Sequence, residues 1–343
     1  MKTDLKSLTL EELTDLVLES GGKKFHAKYI FSFIHEKHVV DINLITPISA
    51  ALRDVLIADG AFISTLTLVT SEQDPDGTKK YLFETAAGKR FETALLTDDG
   101  RRTICLSSQV GCKMGCEFCA TAKMGFAGDL STGEILEQFY AVSEIDGKIS
   151  NVVFMGMGEP FDNYDSVMKA AMLLNHPSGA NVGARHITIS TCGMPAEIDK
   201  FAEVEQQFRL AVSLHSPREQ SRVALMPIAA RYGLKTLFES VRNYYKKTGR
   251  RITIEYCMMA GVNDTPADAS ALARLLNSIK CNVNLIEFNP YPGSEFEASS
   301  PDTIKAFSEV LEKAGIETHI RYRRGRAIKA ACGQLGAGWA KKQ

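Results

Sequence analysis

Beyond Ser131 the sequence alternates short β-rich runs with helical stretches, and that rhythm restricts the possible folds more than any other feature of the chain. The apparent strands cover 151–155, 186–190, 209–214, 252–256, 283–288 and 316–322. A helical segment fills each gap, as a parallel array requires, because parallel neighbours need a crossover and the crossover helix covers the sheet. These six runs fall short of the eight strands that close a full barrel. The expectation is an α/β fold built on an open, partial (βα)6 barrel, with ligands at the C-terminal ends of its strands.

Two other patterns precede the array. Residues 1–58 read as helices: Thr9 and Glu12 make a capping box ahead of Leu10, Leu13, Leu16 and Val17, and Pro47 opens a second amphipathic stretch through Leu52 and Leu56. From Phe62 the pattern changes to alternating strands, with turn signals at Asp74-Pro-Asp-Gly77, Ala87-Gly88 and Asp98-Asp-Gly100. The expected organisation is a helical accessory domain at 1–58, a β-meander extension at 59–104, and the barrel with a C-terminal segment at 105–343.

With 343 residues, 45% of them hydrophobic, the chain can bury a full core. No apolar run approaches the ~20 residues that span a bilayer, and the opening MKTDLKSLTLEEL is too polar for a signal peptide, so a cytosolic protein without membrane contact is expected. Eight cysteines in that reducing compartment point to metal, redox or buried apolar roles rather than to disulfides. A formal net charge of −1 gives no global sign of nucleic-acid binding. The basic runs Arg321 to Arg326 with Lys329, and Lys246 to Arg251, are of a kind that more often forms solvated faces than RNA contacts.

Cys112, Cys116 and Cys119 share one loop with Gly111 and Gly115. Three thiolates can wrap one face of a cubane iron–sulfur cluster and leave one iron open, whereas a closed electron-transfer cluster takes four. Structural zinc would need a fourth Cys or His at recognisable spacing, and none follows locally. Spacing alone leaves both readings open, together with chance; the position just ahead of the first βα unit favours the cluster. Gly156-Met-Gly-Glu159-Pro160 follows an apolar run, where its glycines suit close approach of a ligand and Glu159 can accept hydrogen bonds from an ammonium group. Cys192, Cys257 and Cys281 read as buried apolar residues, and Glu92, taken alone, as an exposed charge on a strand.

The CxxxCxxC motif in this setting resembles the radical S-adenosylmethionine (SAM) superfamily. Its flanks resemble something narrower. Ser107-Ser-Gln-Val-Gly-Cys112, Cys119-Ala-Thr121, Val152-Val-Phe-Met-Gly-Met-Gly-Glu-Pro160, Ser213-Leu-His215, Phe288-Asn-Pro290 and Ala330-Ala-Cys-Gly-Gln-Leu335 are similar to the RlmN/Cfr family of adenine methyltransferases acting on RNA, over nearly the whole chain.

That resemblance implies a partial (βα)6 radical SAM barrel with one [4Fe-4S] cluster on Cys112, Cys116 and Cys119, and two SAM molecules per turnover. It implies SAM contacts from Gly158, Glu159, Ser190, Ser213, Leu214, His215 and Asn289. Cys332 would carry the methyl group as S-methylcysteine, Cys105 would resolve the adduct through a transient disulfide, and Glu92 would accept the ring proton. The implied substrates are 23S rRNA (adenosine 2503) and tRNA (adenosine 37), methylated at adenine C2, with C8 methylation of 23S rRNA as the alternative. Glu159-Pro160, Asn163-Tyr164 and Phe288-Asn-Pro-Tyr-Pro-Gly293 resemble the C2 branch more closely. RNA binding by residues 1–58, an electron donor such as a flavodoxin or ferredoxin system, and a monomeric chain complete the expectation. One departure stands out: Ala327 occupies a position where the family usually carries an acid. The rival readings are a radical SAM enzyme acting on a protein or small molecule, and a zinc-stabilised RNA-binding protein; the first would not need Cys105 and Cys332.

Overall fold

Ten segments pair into one sheet: β1 (Thr67–Gln73), β2 (Lys79–Glu84), β3 (Arg90–Asp98), β4 (Arg101–Cys105), β5 (Asn151–Phe154), β6 (Ile187–Thr191), β7 (Arg209–Ser213), β8 (Ile252–Met258), β9 (Cys281–Glu287) and β10 (Glu317–Arg321). This is a computed structural model, and it describes residues 2–98, 100–321 and 324–338. Strand order across the sheet follows the sequence. The first four strands form an antiparallel meander, and every pairing from β4 to β10 is parallel. β1 and β10 remain the two edges, so the sheet is open.

The six expected strands are present as β5 to β10; Tyr322, the last residue of the sixth expected run, lies outside the described residues. The pattern missed one parallel strand. β4 reads as the end of the meander, yet it also pairs in parallel with β5, Thr103 opposite Asn151 and Cys105 opposite Val153. Cys105 therefore stands at the C-terminal end of a barrel strand, at the level where ligands bind in this architecture.

The parallel strands alternate in character. On β8, Ile252, Ile254 and Tyr256 face the covering helices, the Tyr256 ring lying 5.2 Å from Phe307 of the Pro301–Lys313 helix. Thr253, Glu255 and Cys257 turn to the opposite, concave side, as the period of two demands. In-register neighbours on that side are also polar: Ser213 lies opposite Glu255, and Glu255 opposite Asn284. A polar concave face on an otherwise apolar sheet is costly unless it serves a site.

At the N-terminus, Thr9 and Glu12 form the expected capping box of the Leu10–Glu19 helix. Ser49, rather than the Pro47 segment, caps Ala50–Ala58, its hydroxyl accepting from Leu52 N. Leu13, Val17, Ile30, Phe31, Ile34, Leu52 and Leu56 bury the inner faces. Lys6 fastens this unit to the barrel: fully buried, it donates to Ser64 O at 2.6 Å and pairs with Glu137 of the Thr132–Asp146 helix.

The C-terminal segment from Arg324 to Gly338 has no regular structure and runs as a strap from the meander to the mouth of the barrel. Backbone N–H groups of Gly325 and Ala327 donate to Asp76 and Asp74 at 2.8 and 2.7 Å, and Arg324 donates to Thr97 O at 2.7 Å. At its far end Gly333 O accepts from Ala120 N at 2.8 Å, and Leu335 O from the Thr121 hydroxyl at 2.8 Å. The residue that departs from the family pattern, Ala327, is thus held through its backbone. No helix among the described residues is long and apolar enough to cross a membrane.

Candidate active site

The cysteine loop leaves β4 and doubles back through a small ribbon, Gln109–Gly111 against Phe126–Asp129. Gly111 sits at φ +77°, and a Cβ there would stand 1.8 Å from Gly125 O, so only glycine fits. Cys112 N donates to Gly125 O at 2.9 Å, Cys119 N to Cys116 O at 3.1 Å, and Glu117 N to Leu225 O at 3.0 Å. Cys112 and Cys116 pack against an apolar wall of Met114, Leu225, Met226, Met259 and Phe288. Burial pushes the Cys112 thiol up to about 12, with Cys119, Glu159 and Asp162 adding to the rise, and Cys116 is raised in the same way. Coordination to iron removes those protons and offsets that cost. Among the described residues no three His, Cys, Asp or Glu side chains are set around a single metal ion. Three cysteines of one loop, two of them against an apolar wall, fit a cubane cluster, whose separate irons each take one ligand.

Glu159 follows β5 and is almost fully buried. Its Oε1 accepts from Phe161 N at 3.0 Å and its Oε2 from Cys192 N at 2.8 Å, leaving further lone pairs for an ammonium group. Burial raises its pKa, against the lowering effect of those amides. The neighbouring glycines are also required by the protein's own packing: a Cβ on Gly156 would meet Leu106 O at 2.7 Å, and one on Gly158 would meet the Gln109 side chain at 2.6 Å. Ser190 and Ser213 place their hydroxyls 3.4 Å apart at the ends of β6 and β7. Leu214 is wholly buried, with its N–H on Glu255 O at 3.0 Å. His215, at φ +56°, accepts from Cys257 N through Nδ1 at 2.9 Å; burial lowers its pKa to about 3, with Arg222 adding, so the ring is neutral. Asn289 donates to Cys332 O at 3.3 Å, while its Oδ1 is buried without a partner. An orphaned buried acceptor at the C-terminal end of a barrel strand fits a polar ligand such as SAM.

Cys105 ends β4, and Cys332 reaches the barrel mouth on the strap, where its carbonyl accepts from Asn289 and that of Gly333 accepts from Ala120 N. Burial raises the Cys105 thiol, and Cys332 is the next contributor. Solvent reaches Cys332, yet the surrounding protein raises its thiol to about 11, with Glu255 adding to the rise and Arg321 opposing it. Glu92 departs from its expected exposure: it is buried on β3, its Oε1 3.2 Å from Lys80 Nζ and its Oε2 accepting from Gly336 N at 2.6 Å. Lys80 in turn donates to Ile328 O at 2.6 Å. Cys192 and Cys257 are buried as expected, but they border the cysteine loop, whereas Cys281 lies in the main core.

Two charged residues escaped the sequence reading. Glu255, on the concave face of β8, accepts from Asn284 at 2.8 Å, and burial raises its pKa to about 7. Arg222, in the Glu219–Leu225 helix, has no exposed surface. Alternation along β8 could have flagged Glu255; nothing local flags Arg222. The basic run from Lys246 is a solvated face whose Lys247 pairs with Glu203 and whose Arg251 pairs with Glu317.

Comparison with known proteins agrees with this geometry. The Radical SAM superfamily model matches residues 106–273, and the model of the ribosomal RNA large subunit methyltransferase N-terminal domain matches residues 3–60. A probable dual-specificity RNA methyltransferase RlmN of Lysinibacillus sphaericus is 42% identical over 341 residues, covering 98% of this chain and 90% of the relative. The protein of the same description from Staphylococcus carnosus is 41% identical, covering 98% and 93%. The crystal structure of a radical SAM methyltransferase from Sphaerobacter thermophilus superposes with a TM-score of 0.92 at 41% identity, over 98% of this chain and 99% of that one. With a [4Fe-4S] cluster and SAM implied by that kinship, the chain belongs to the RlmN family of radical SAM RNA methyltransferases.

Proposed function

We propose that this chain methylates C2 of an adenine in 23S rRNA and in tRNA in the cytosol, through a methyl carbon carried on Cys332. The observation that most supports this reading is the placement of two non-cluster cysteines at the barrel mouth: Cys105 ends β4, and Cys332 is held by Asn289 next to Gly333, whose carbonyl accepts from Ala120 N just after the cysteine loop. An adenine C2 is not nucleophilic, so a direct polar transfer from a sulfonium fails, and covalent catalysis divides the task. The Cys332 thiolate first takes a methyl group from SAM. When bound, the cluster supplies the electron that cleaves a second SAM to the radical that removes a hydrogen atom from that methyl group. Cys332 then holds the carbon as it adds to the ring; Glu92 accepts the ring proton, the unpaired electron would pass back to the oxidised cluster, and the Cys105 thiolate attacks the Cys332 sulfur, so that the carbon–sulfur bond breaks, the freed carbon takes a proton to become the methyl group, and a disulfide remains.

The chain's own residues hold SAM through Gly158, Glu159, Ser190, Ser213 to His215 and Asn289, and the cluster through Cys112, Cys116 and Cys119. Residues 1–58 form an accessory RNA-binding unit, 59–104 the extension that presents Glu92, and 105–343 the barrel with the Cys332 strap. The protein acts as a monomer supplied by a flavodoxin or ferredoxin system. Nuclease digestion and mass spectrometry of 23S rRNA and tRNA after reaction should reveal 2-methyladenosine in both; 8-methyladenosine alone would replace this product with the C8 isomer.

A further inference from the structure

Arg222 is a buried cation for which packing gives no account. Its Nη2 donates to Cys192 O at 2.6 Å and Nη1 reaches Tyr232 O at 3.4 Å, while Nε has no partner. Among the described residues no carboxylate forms an ion pair with it. Glu219, one turn earlier, attracts it, but the Glu219 Oε2 accepts from Leu234 N at 2.8 Å. A charge removed from water without a counter-ion is strongly unfavourable. Burial accordingly weakens its hold on its proton, and the groups that oppose this are Cys192, Glu219 and Cys116.

Its position gives the missing partner. The Cys192 peptide lies between two charges, its N–H on Glu159 and its C=O on Arg222. The helix that carries Arg222 ends at Leu225, whose carbonyl holds Glu117 N of the cysteine loop. Arg222 thus sits behind Cys116. We propose that Arg222 is the fixed counter-charge of the cluster held by Cys112, Cys116 and Cys119, a positioning residue that favours the cluster's reduced state.

Three thiolates around a 2+ cubane core carry one net negative charge, and one-electron reduction makes it two. The attraction to a fixed guanidinium grows with that charge, so the arginine favours electron uptake; no bond forms or breaks, and the electron comes from the external donor of the radical SAM reaction. Low dielectric makes the effect large at short range. The proposal rests on cluster ligation by the three cysteines.

The test is a redox titration of the reconstituted full chain, followed by electron paramagnetic resonance in the absence of SAM. Arg222→Gln should lower the reduction equilibrium constant at least tenfold, 59 mV for a one-electron couple, and Arg222→Lys should stay within a few-fold of the parent. An unchanged potential in a fully loaded Arg222→Gln protein overturns the proposal, leaving a clasp on Cys192. An unchanged potential with weakened SAM binding also overturns it, in favour of a contact to the SAM carboxylate. If Arg222→Gln takes up no iron, the lysine variant decides. Loading at a near-parental potential supports the charge, and failure of both variants to load points to the clasp and overturns it. A parent protein that itself binds no iron would instead refute cluster ligation.

Discussion

The two thiol groups of the site are built in opposite ways. The Cys112–Cys119 loop is held by backbone hydrogen bonds against an apolar wall, with a buried cation, Arg222, behind it. The Cys105–Cys332 side is polar, carries a buried carboxyl group, Glu255, and depends on a strap of irregular chain. A cluster needs fixed, dry ligands. On the proposed mechanism Cys332 is methylated, attached to a large substrate and then drawn into a disulfide, which requires movement, and a hydrogen-bonded strap with few buried apolar groups opens at low cost.

The largest expected effect separates the two sides. Cys112→Ala should abolish iron binding and SAM cleavage together. Cys332→Ala should keep the cluster while losing RNA methylation and, with no S-methyl group to give up a hydrogen atom, the 5′-deoxyadenosine coupled to it. Iron content and 5′-deoxyadenosine yield check both; loss of iron in the Cys332 variant would mean that the two sides are one structural unit.

A second variant acts on the strap alone. Lys80 ties Glu92 at 3.2 Å to the Ile328 carbonyl at 2.6 Å, and both side chains of this ion pair are nearly buried. Lys80→Met leaves Glu92 buried with only Gly336 N as a donor. Breaking a buried pair by removing one partner costs about 3 kcal/mol. The melting temperature should fall and methylation should be nearly lost while the iron content stays at the parental level. A variant that methylates normally would show that Glu92 needs no such anchor.

The same contrast explains what was legible in the sequence. The cysteine loop spans eight residues from Cys112 to Cys119, and its ligand spacing is local, so inspection finds it. The six strands β5 to β10 were likewise readable, because each is a branched run between helical segments. Glu92 was not. Its burial depends on Lys80, 12 positions before it, and on Gly336 N, at a separation of 244 residues. The parallel role of β4 escaped because its partner β5 follows a long excursion through the cysteine loop and a helix. Arg222 escaped for a related reason: an arginine in a short helix reads as solvated, and only the tertiary fold brings it behind Cys116. Resemblance to a family supplied Glu92, Cys105 and Cys332; elementary patterning supplied the barrel.

The smallest effect sharpens the comparison from the anionic side. Glu255 is almost fully buried, and burial raises its pKa to about 7, with Asn284 and Arg321 opposing the rise. The folded state therefore holds this proton more tightly than the unfolded chain does. Its contribution to stability is fully present below the ordinary glutamate range and is lost as pH rises through 7. Glu255→Gln keeps the acceptor for Asn284 and never ionises, so it should match the parent at acidic pH and exceed it in alkaline solution, by on the order of 2 kcal/mol at pH 8. Thermal unfolding of both proteins from pH 5 to pH 8 gives the difference directly. If the gap does not widen across that range, Glu255 is already ionised without penalty, and the polar side of the site is as well compensated for its anion as the cluster side would be for its cation.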